Sequence, residues 1–226
     1  MISSVIYLHG FASSPQSTKA QEFARRLAPY GVGYSCPDFN EPAFETLTTT
    51  RMLEQTAAAV EQARAPVALI GSSLGAFVAV HAAAREVALP SHARKIDRLI
   101  LLAPAFDFGG NRLRQFGEHG IEDWRRAGKI QTFHYAYNEP RDINFALYED
   151  AARYDATMVS VDLPILMVQG TRDASVDPEM VKRWASTRPN VTLHLVDDEH
   201  QLTASMDAIW KWSKDFLGLS VAQTDF

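Results

Sequence analysis

Ile70-Gly71-Ser72-Ser73-Leu74-Gly75 joins two patterns of different kind. Before it, residues 67–70 form a continuous apolar run that reads as a buried strand. After it, residues 74–85 read as a helix. Gly-x-Ser-x-Gly falls at the corner, which is the pattern of a nucleophile elbow. The demand for glycine is steric. A serine on a sharp strand-to-helix turn sits in strained backbone geometry, with its hydroxyl pushed clear of the sheet. The residues two before and two after it come close together, so both must be small. Ser73 has Gly71 and Gly75 in those places. Ser72 would have Ile70 and Leu74, which are too bulky. Ser73 is therefore the expected nucleophile. The plain alternative is a Gly/Ser turn without chemistry, because short motifs recur by accident.

Outward from that corner, short apolar runs alternate with helical patterns. Strands are expected at 5–8, 32–36, 67–70, 96–102, 165–168 and 191–196. Between them, Ala20, Phe23, Ala24 and Leu27 repeat at helical spacing. Helices are also expected at 48–64, 74–85, 178–187 and 202–217, the last carrying Leu202, Met206, Ile209, Trp210 and Phe216 toward the core. Strand–helix alternation with near-continuous apolar strands predicts a parallel sheet covered on both faces. Residues 106–162 break the alternation. They contain Gly109-Gly110, Trp124, Phe133, Tyr135 and Tyr137, with weak helical patterning at 145–154. A structureless loop of that length is uncommon in a compact domain. The segment is read as a small helical insertion over the C-terminal ends of the strands, with peripheral decoration as the alternative.

The 226 residues suit one domain, 1–226, with a substantial core. Hydrophobic content of 46% and charged content of 22% are ordinary for a soluble globular chain. A net charge of -5 and the lack of a basic run argue against a nucleic-acid partner. Cys36 is the only cysteine, so no internal disulfide can form, and a reducing cytoplasm is the simpler expectation. The N-terminus has neither a basic region nor a small-residue cleavage site, so no secretory signal is expected. No run approaches the ~18 apolar residues of a membrane span. The oligomeric state cannot be read from the sequence.

A serine hydroxyl needs a base to take its proton and a third group to orient that base. In this architecture the chain order is Ser, Asp or Glu, then His, with the later two on loops after strands. The strand at 165–168 runs into Gln169-Gly170-Thr171-Arg172-Asp173. That places Asp173 just past a strand's C-terminal end, where open α/β sheets form their ligand crevice. Asp177 and Asp107 are rivals, and capping a turn is the other common task of such an Asp. Of seven histidines, His200 alone follows the last strand. His194 lies inside a strand pattern, and His81 and His92 sit on or after the helix behind the elbow. His119 and His134 lie in the insertion, where they could at most touch substrate. The tetrahedral intermediate needs two N–H donors. Leu74, at the N-terminus of the helix, should supply one. Phe11, in His9-Gly10-Phe11-Ala12-Ser13-Ser14, should supply the other. Gly10 lets the backbone come close to substrate. His9 is expected to shape the loop rather than to take protons.

With these residues assembled, the chain resembles the α/β-hydrolase superfamily and, within it, the small bacterial YqiA-like esterases. The resemblance rests on Tyr7-Leu8-His9-Gly10-Phe11-Ala12-Ser13-Ser14-Pro15 with Ser17, Lys19 and Ala20, and on Gly71-Ser72-Ser73-Leu74-Gly75. It extends to Gln169-Gly170-Thr171-Arg172-Asp173 and Asp198-Glu199-His200. It spans most of the chain. The His-Gly-Phe-x-Ser-Ser-Pro opening is the more family-specific part. The resemblance implies hydrolysis of short acyl esters or thioesters without metal or organic cofactor. The 106–162 insertion is larger than that family usually carries, so substrate choice does not transfer. The chain lacks room for the two strands that open the sheet in larger members, and a reduced, six-stranded, mainly parallel sheet is expected.

The functional expectation is a serine esterase or thioesterase that takes a small-molecule substrate through an acyl-enzyme. Other hydrolase chemistry on the same triad (amide, lipid or carbon–carbon bond cleavage) is the alternative, and an idle binding protein on the same scaffold is a third. Gly10, Phe11, Phe39, Tyr135 and Tyr137 are the candidate substrate contacts, expected to line an apolar slot.

Overall fold

The computed structural model describes residues 1–108 and 117–220. In chain order its first elements are β1 (Ser4–Leu8), α1 (Thr18–Leu27), β2 (Gly33–Ser35), α2 (Thr49–Gln62), β3 (Val67–Ser72), α3 (Leu74–Val87) and β4 (Ile96–Leu102). Next come α4 (Gly117–Ala127), β5 (Lys129–His134), β6 (Glu139–Asn144) and α5 (Ala146–Ala151). The chain then returns through β7 (Ile165–Gly170), α6 (Pro178–Ser186), β8 (Val191–Val196) and α7 (Met206–Leu217).

Six strands form one sheet in the order β2-β1-β3-β4-β7-β8, every pair parallel. They are the six apolar runs expected from sequence. The two-residue period of a strand sends alternate side chains to opposite faces. Ile6, Leu8, Leu69, Leu99, Leu101 and Met167 join the core under α2, α3 and α6. Val5, Tyr7, Ile70, Ile100, Leu102 and Val168 join the core under α1 and α7. Each α1 turn adds an anchor to the second core: Ala20, Phe23 and Leu27 are all fully buried. Complete burial of a side chain such as Phe23 contributes about 1.5–3 kcal/mol.

The last helix begins at Met206, four residues later than its apolar pattern suggests. Leu202 is buried as expected but takes a left-handed φ of 55°. Asp198 explains the late start. Its carboxylate accepts from the N–H groups of Glu199 at 2.7 Å and Ser205 at 2.9 Å, which holds the intervening residues in a loop.

Between β4 and β7 the chain forms α4 and α5 and also an antiparallel hairpin, β5–β6, which periodicity did not reveal. β5 alternates exposed and partly buried residues up to His134, β6 does not, and both mix charged, polar and apolar groups. Gly109-Gly110 of this segment lie outside the described residues. Gly128, at φ 74°, turns the chain from α4 into the hairpin. Trp124 Nε1–H then donates to the Ile143 carbonyl at 3.1 Å. Asp150 of α5 accepts from the Thr50 N–H at 2.7 Å and its hydroxyl at 2.6 Å, tying α5 to the first turn of α2.

The hairpin tip is pinned to the loops after β1 and β2. Fully buried His134 contacts Asn40 Oδ1 through Nε2 at 3.0 Å and accepts the Tyr137 N–H through Nδ1 at 3.2 Å. The second contact requires an unprotonated Nδ1, so the neutral Nε2–H form satisfies both. Ala136 N–H donates to the Ala12 carbonyl at 3.3 Å, and Arg141 pairs with Glu45 at 2.6 Å. Burial, with His9 and Arg141 nearby, holds the His134 pKa below its usual value.

Two consequences are measurable by thermal unfolding. A Cβ on Gly75 would overlap the Leu8 carbonyl oxygen and stand 2.8 Å from that of His9. Gly75→Ala should cost about 3 kcal/mol or more, roughly 6–12 °C in Tm. Gly31 sits at φ 65° with open space around its Cβ direction. Gly31→Ala should cost only about 1 kcal/mol, for the backbone conformation alone. The second consequence concerns His134. Its depressed folded pKa means that the unfolded chain takes up the proton first as pH falls. The stability it contributes is complete above the unfolded value of about 6.5 and is lost progressively below it. The stability advantage of wild type over His134→Gln should therefore shrink as pH falls below about 6.5; a difference independent of pH would contradict this pin.

Candidate active site

Ser73, Asp173 and His200 meet at the C-terminal edge of the sheet. Ser73 sits between β3 and α3 with φ 54° and ψ −113°. A non-glycine residue held there costs of order 1–3 kcal/mol and persists only where its surroundings enforce it. The surroundings do so. Ser73 N–H donates to the Leu102 carbonyl at 2.8 Å, and the Ser73 carbonyl accepts from Ala76 at 3.0 Å and Ala105 at 3.2 Å. A Cβ on Gly71 would stand 2.5 Å from the Ala76 Cα and would overlap the Gly75 carbonyl. The glycine requirement inferred for Ser73 is thus real, but Gly71 is confined by Gly75 and Ala76 while Gly75 is confined by the backbone of Leu8 and His9.

Ser73 Oγ lies 3.1 Å from His200 Nε2, and His200 Nδ1 lies 2.9 Å from Asp173 Oδ2. Asp173 follows β7 and its side chain is fully enclosed. Its Oδ1 accepts from the N–H groups of Ser175 and Val176, both at 2.8 Å, and Oδ2 also accepts from Gln169 Nε2 at 3.0 Å. Burial alone would raise its pKa. The hydrogen bonds from His200 and Val176, the His200 charge and Gln169 outweigh it and hold the carboxyl below the usual range. An ionised carboxylate only accepts, so Nδ1 of His200 carries hydrogen and Nε2 faces the serine hydroxyl as an acceptor. Asp177, the rival acid, instead caps α6 by accepting from the Glu179 N–H at 2.9 Å. Asp107 is not among the partners of His200.

The Asp173 and His200 loops are held in register by their backbones. A Cβ on Gly170 would stand 2.5 Å from the Asp198 carbonyl oxygen, and Arg172 N–H donates to that oxygen at 3.0 Å. On the other side, Gly10 packs against the elbow, its Cβ direction meeting Ser73 Cβ at 3.5 Å. Neither the Phe11 N–H nor the Leu74 N–H has an acceptor among the described residues. Both are the donors expected for a developing oxyanion.

His9 behaves as a loop-shaping residue. It is buried, contacts the Gly10 carbonyl through Nδ1 at 2.9 Å, and accepts the Phe39 N–H through Nε2 at 3.0 Å. Accepting at Nε2 leaves hydrogen on Nδ1. His81 and His194 make their ring contacts away from the triad. His194 stacks on Trp212, and His81 packs against Phe77 with its pKa lowered to about 4 by burial and Arg85. The His119 side chain lies outside the described residues.

A cavity of about 690 Å³ opens beside Ser73 and His200. Gly10, Phe11 and Tyr135 line it, as does Phe133 of the hairpin. Phe39 and Tyr137 do not, which corrects two expected substrate contacts. Phe39 turns inward because its N–H is committed to His9, and its ring packs 4.9 Å from the imidazole. Tyr137 is instead stacked on His134 at 3.9 Å, with the Arg141 guanidinium 5.5 Å from its ring. The slot is also less apolar than expected. Ser13, Ser17, Thr18, Thr203 and Lys19 share its wall. The opening motif contains the Ser and Lys members, but nothing in their spacing showed that they face the nucleophile. Among the described residues no cluster of His, Cys, Asp or Glu could hold a metal ion, and no helix is long and apolar enough to cross a membrane.

Three solved structures are similar in fold. One from Agrobacterium vitis S4 has a TM-score of 0.80 at 23% identity, covering 95% of this chain and 87% of its own. Mouse alpha/beta hydrolase domain-containing protein 10 has a TM-score of 0.76 at 18% identity, covering 95% and 89%. Est1E from Butyrivibrio proteoclasticus with ferulic acid bound has the same TM-score, identity and coverage. The fold is that of an α/β hydrolase. No curated protein matches the chain in sequence. The model of the uncharacterised protein family UPF0227 matches residues 4–217, nearly the whole length, and the chain belongs to that family.

Proposed function

We propose that this protein is a serine hydrolase that cleaves carboxylic esters or thioesters of a small-molecule substrate through an acyl-enzyme. One observation carries the reading: Ser73 Oγ, His200 and Asp173 form an unbroken hydrogen-bonded chain of 3.1 Å and 2.9 Å on a positive-φ elbow. The fold shared with Est1E, which binds ferulic acid, agrees with it.

Ser73 Oγ attacks the carbonyl carbon while His200 Nε2 takes the hydroxyl proton. Charge moves onto the carbonyl oxygen, where the Leu74 and Phe11 N–H groups receive it, with Leu74 at the positive end of α3. Asp173 holds the imidazole in its productive tautomer and stabilises the imidazolium. As the intermediate collapses, His200 returns the proton to the departing alcohol or thiol, leaving an ester on Ser73. Water then attacks this ester, gives its proton to His200, and the same steps in reverse release the acid and restore Ser73. No step calls on a cofactor. The described parts of residues 106–162, including α4, the β5–β6 hairpin and α5, act as a lid within a single domain. Through Phe133 and Tyr135 the lid limits acyl length and favours short to medium chains. A lone half-buried thiol, Cys36, accords with a cytoplasmic setting.

Ser73→Ala should lower kcat by about 10⁴- to 10⁶-fold, and Ser72→Ala by far less. A fluorophosphonate probe followed by peptide mass spectrometry should place the adduct on Ser73; an adduct on Ser72 refutes the assignment. Asp173→Asn should keep the fold and lower kcat by roughly 10⁴-fold, because the amide favours the wrong tautomer. Asp107→Asn and Asp177→Asn should have small effects on turnover, and a larger loss at Asp107 would move the acid to the loop after β4.

A further inference from the structure

Lys19 is a nearly buried cation that the proposed chemistry leaves unused. It stands in the first turn of α1, 8% exposed, and lines the same cavity as Ser73 and His200. Its Nζ donates to the Gln201 carbonyl at 2.8 Å, one residue beyond His200. An ammonium carries three donors, and this is the one engaged among the described residues. Burial brings its pKa down to about 8, while the Asp173 and Asp198 charges favour protonation, so it remains a cation at neutral pH. Holding a charge out of water costs stability that an apolar side chain would not cost.

The surrounding wall favours the same sign of ligand. The N-terminal end of α1 borders the cavity through Ser17, Thr18 and Lys19, has no side-chain cap, and has no acidic residue in its first turn. That end of a helix carries partial positive charge. The chain holds 27 Asp and Glu residues and a net charge of -5, yet among the described residues no carboxylate lines this cavity. Asp173 and Asp198 lie behind the wall with their oxygens taken by the donors already described.

From this cavity we infer that the hydrolase acts on esters bearing a carboxylate or phosphate group, and that the Lys19 ammonium, the α1 N-terminus and the neighbouring hydroxyls hold that anion. The inference rests on Ser73 being the nucleophile.

The test compares kcat/KM for charged esters and neutral twins of the same shape. Mono-4-nitrophenyl glutarate against 4-nitrophenyl methyl glutarate puts the charge on the acyl side. 4-Acetoxybenzoate against its methyl ester puts it on the alcohol side, and 4-acetoxyphenyl phosphate against the carboxylate separates the two anions. At least one charged ester should exceed its twin by about tenfold, the worth of one charge-assisted contact. Lys19→Met should bring that ratio to about one, and Lys19→Arg should retain most of it. If Lys19→Met does not fold, Thr203→Asp on the exposed rim should lower the ratio instead. A preference for the neutral twin in every pair overturns the inference, as does a ratio that the Lys19 or Thr203 change leaves in place. Turnover of the neutral twins, and its loss in Ser73→Ala, reports on the serine-hydrolase reading alone, so failure of either reading is recognised separately.

Discussion

The contact on which this structure turns is the approach of α3's first residues to the end of β1. Gly75 packs against the Leu8 carbonyl so closely that no side chain can stand between them. Gly71 is confined in the same way by Gly75 and Ala76. Together they leave the backbone no relaxed path from strand to helix, and Ser73 takes the strain at φ 54°. The hydroxyl is raised above the sheet edge because the helix begins at once beneath it. Position and strain are one fact here: the geometry that lifts the Ser73 hydroxyl is also the geometry that only two glycines allow.

Around that corner, hydrogen bonds do the aligning. The Asp173 carboxylate is gripped by two backbone N–H groups and Gln169, leaving it one direction in which to meet His200. Asp198 shapes the next loop by capping the Glu199 and Ser205 N–H groups, while its own carbonyl accepts from Arg172. Gly170 lets those two loops touch. The imidazole is therefore positioned from both sides by groups that do not contact Ser73.

The hairpin adds the third wall. It would be marginal alone, since two strands bury too little to stand in water. His134, Ala136 and Arg141 fasten it to the loops after β1 and β2, so the loop bearing Phe11 and the hairpin bearing Tyr135 move as neighbours. In the proposed mechanism this couples the oxyanion donors to the wall that measures the substrate.

Much of this was legible in the residues. The central strands announced themselves because a parallel sheet covered on both faces demands unbroken apolar runs, and Ser73 because only its flanks are small enough. Chain order at strand ends pointed to His200 and Asp173, with Asp107 and Asp177 left open; the fold brings the first two to 2.9 Å of each other and sets Asp177 at the α6 cap. Local patterning failed where a side chain's task depends on distant partners. The hairpin's strands are amphipathic through contacts with Asn40 and Glu45, not through their own composition. Phe39 looked like a pocket aromatic until its N–H was found committed to His9. Lys19 stood in the sequence only as part of the opening motif, and it is the packing of α1 that encloses its ammonium beside Gln201. Period, glycine and chain order are properties of neighbours along the chain, so the sequence by itself determined the sheet, the elbow and the order of the site. Which walls close over Ser73, and what charge they carry, depends on segments more than a hundred residues apart, and only tertiary packing decided that.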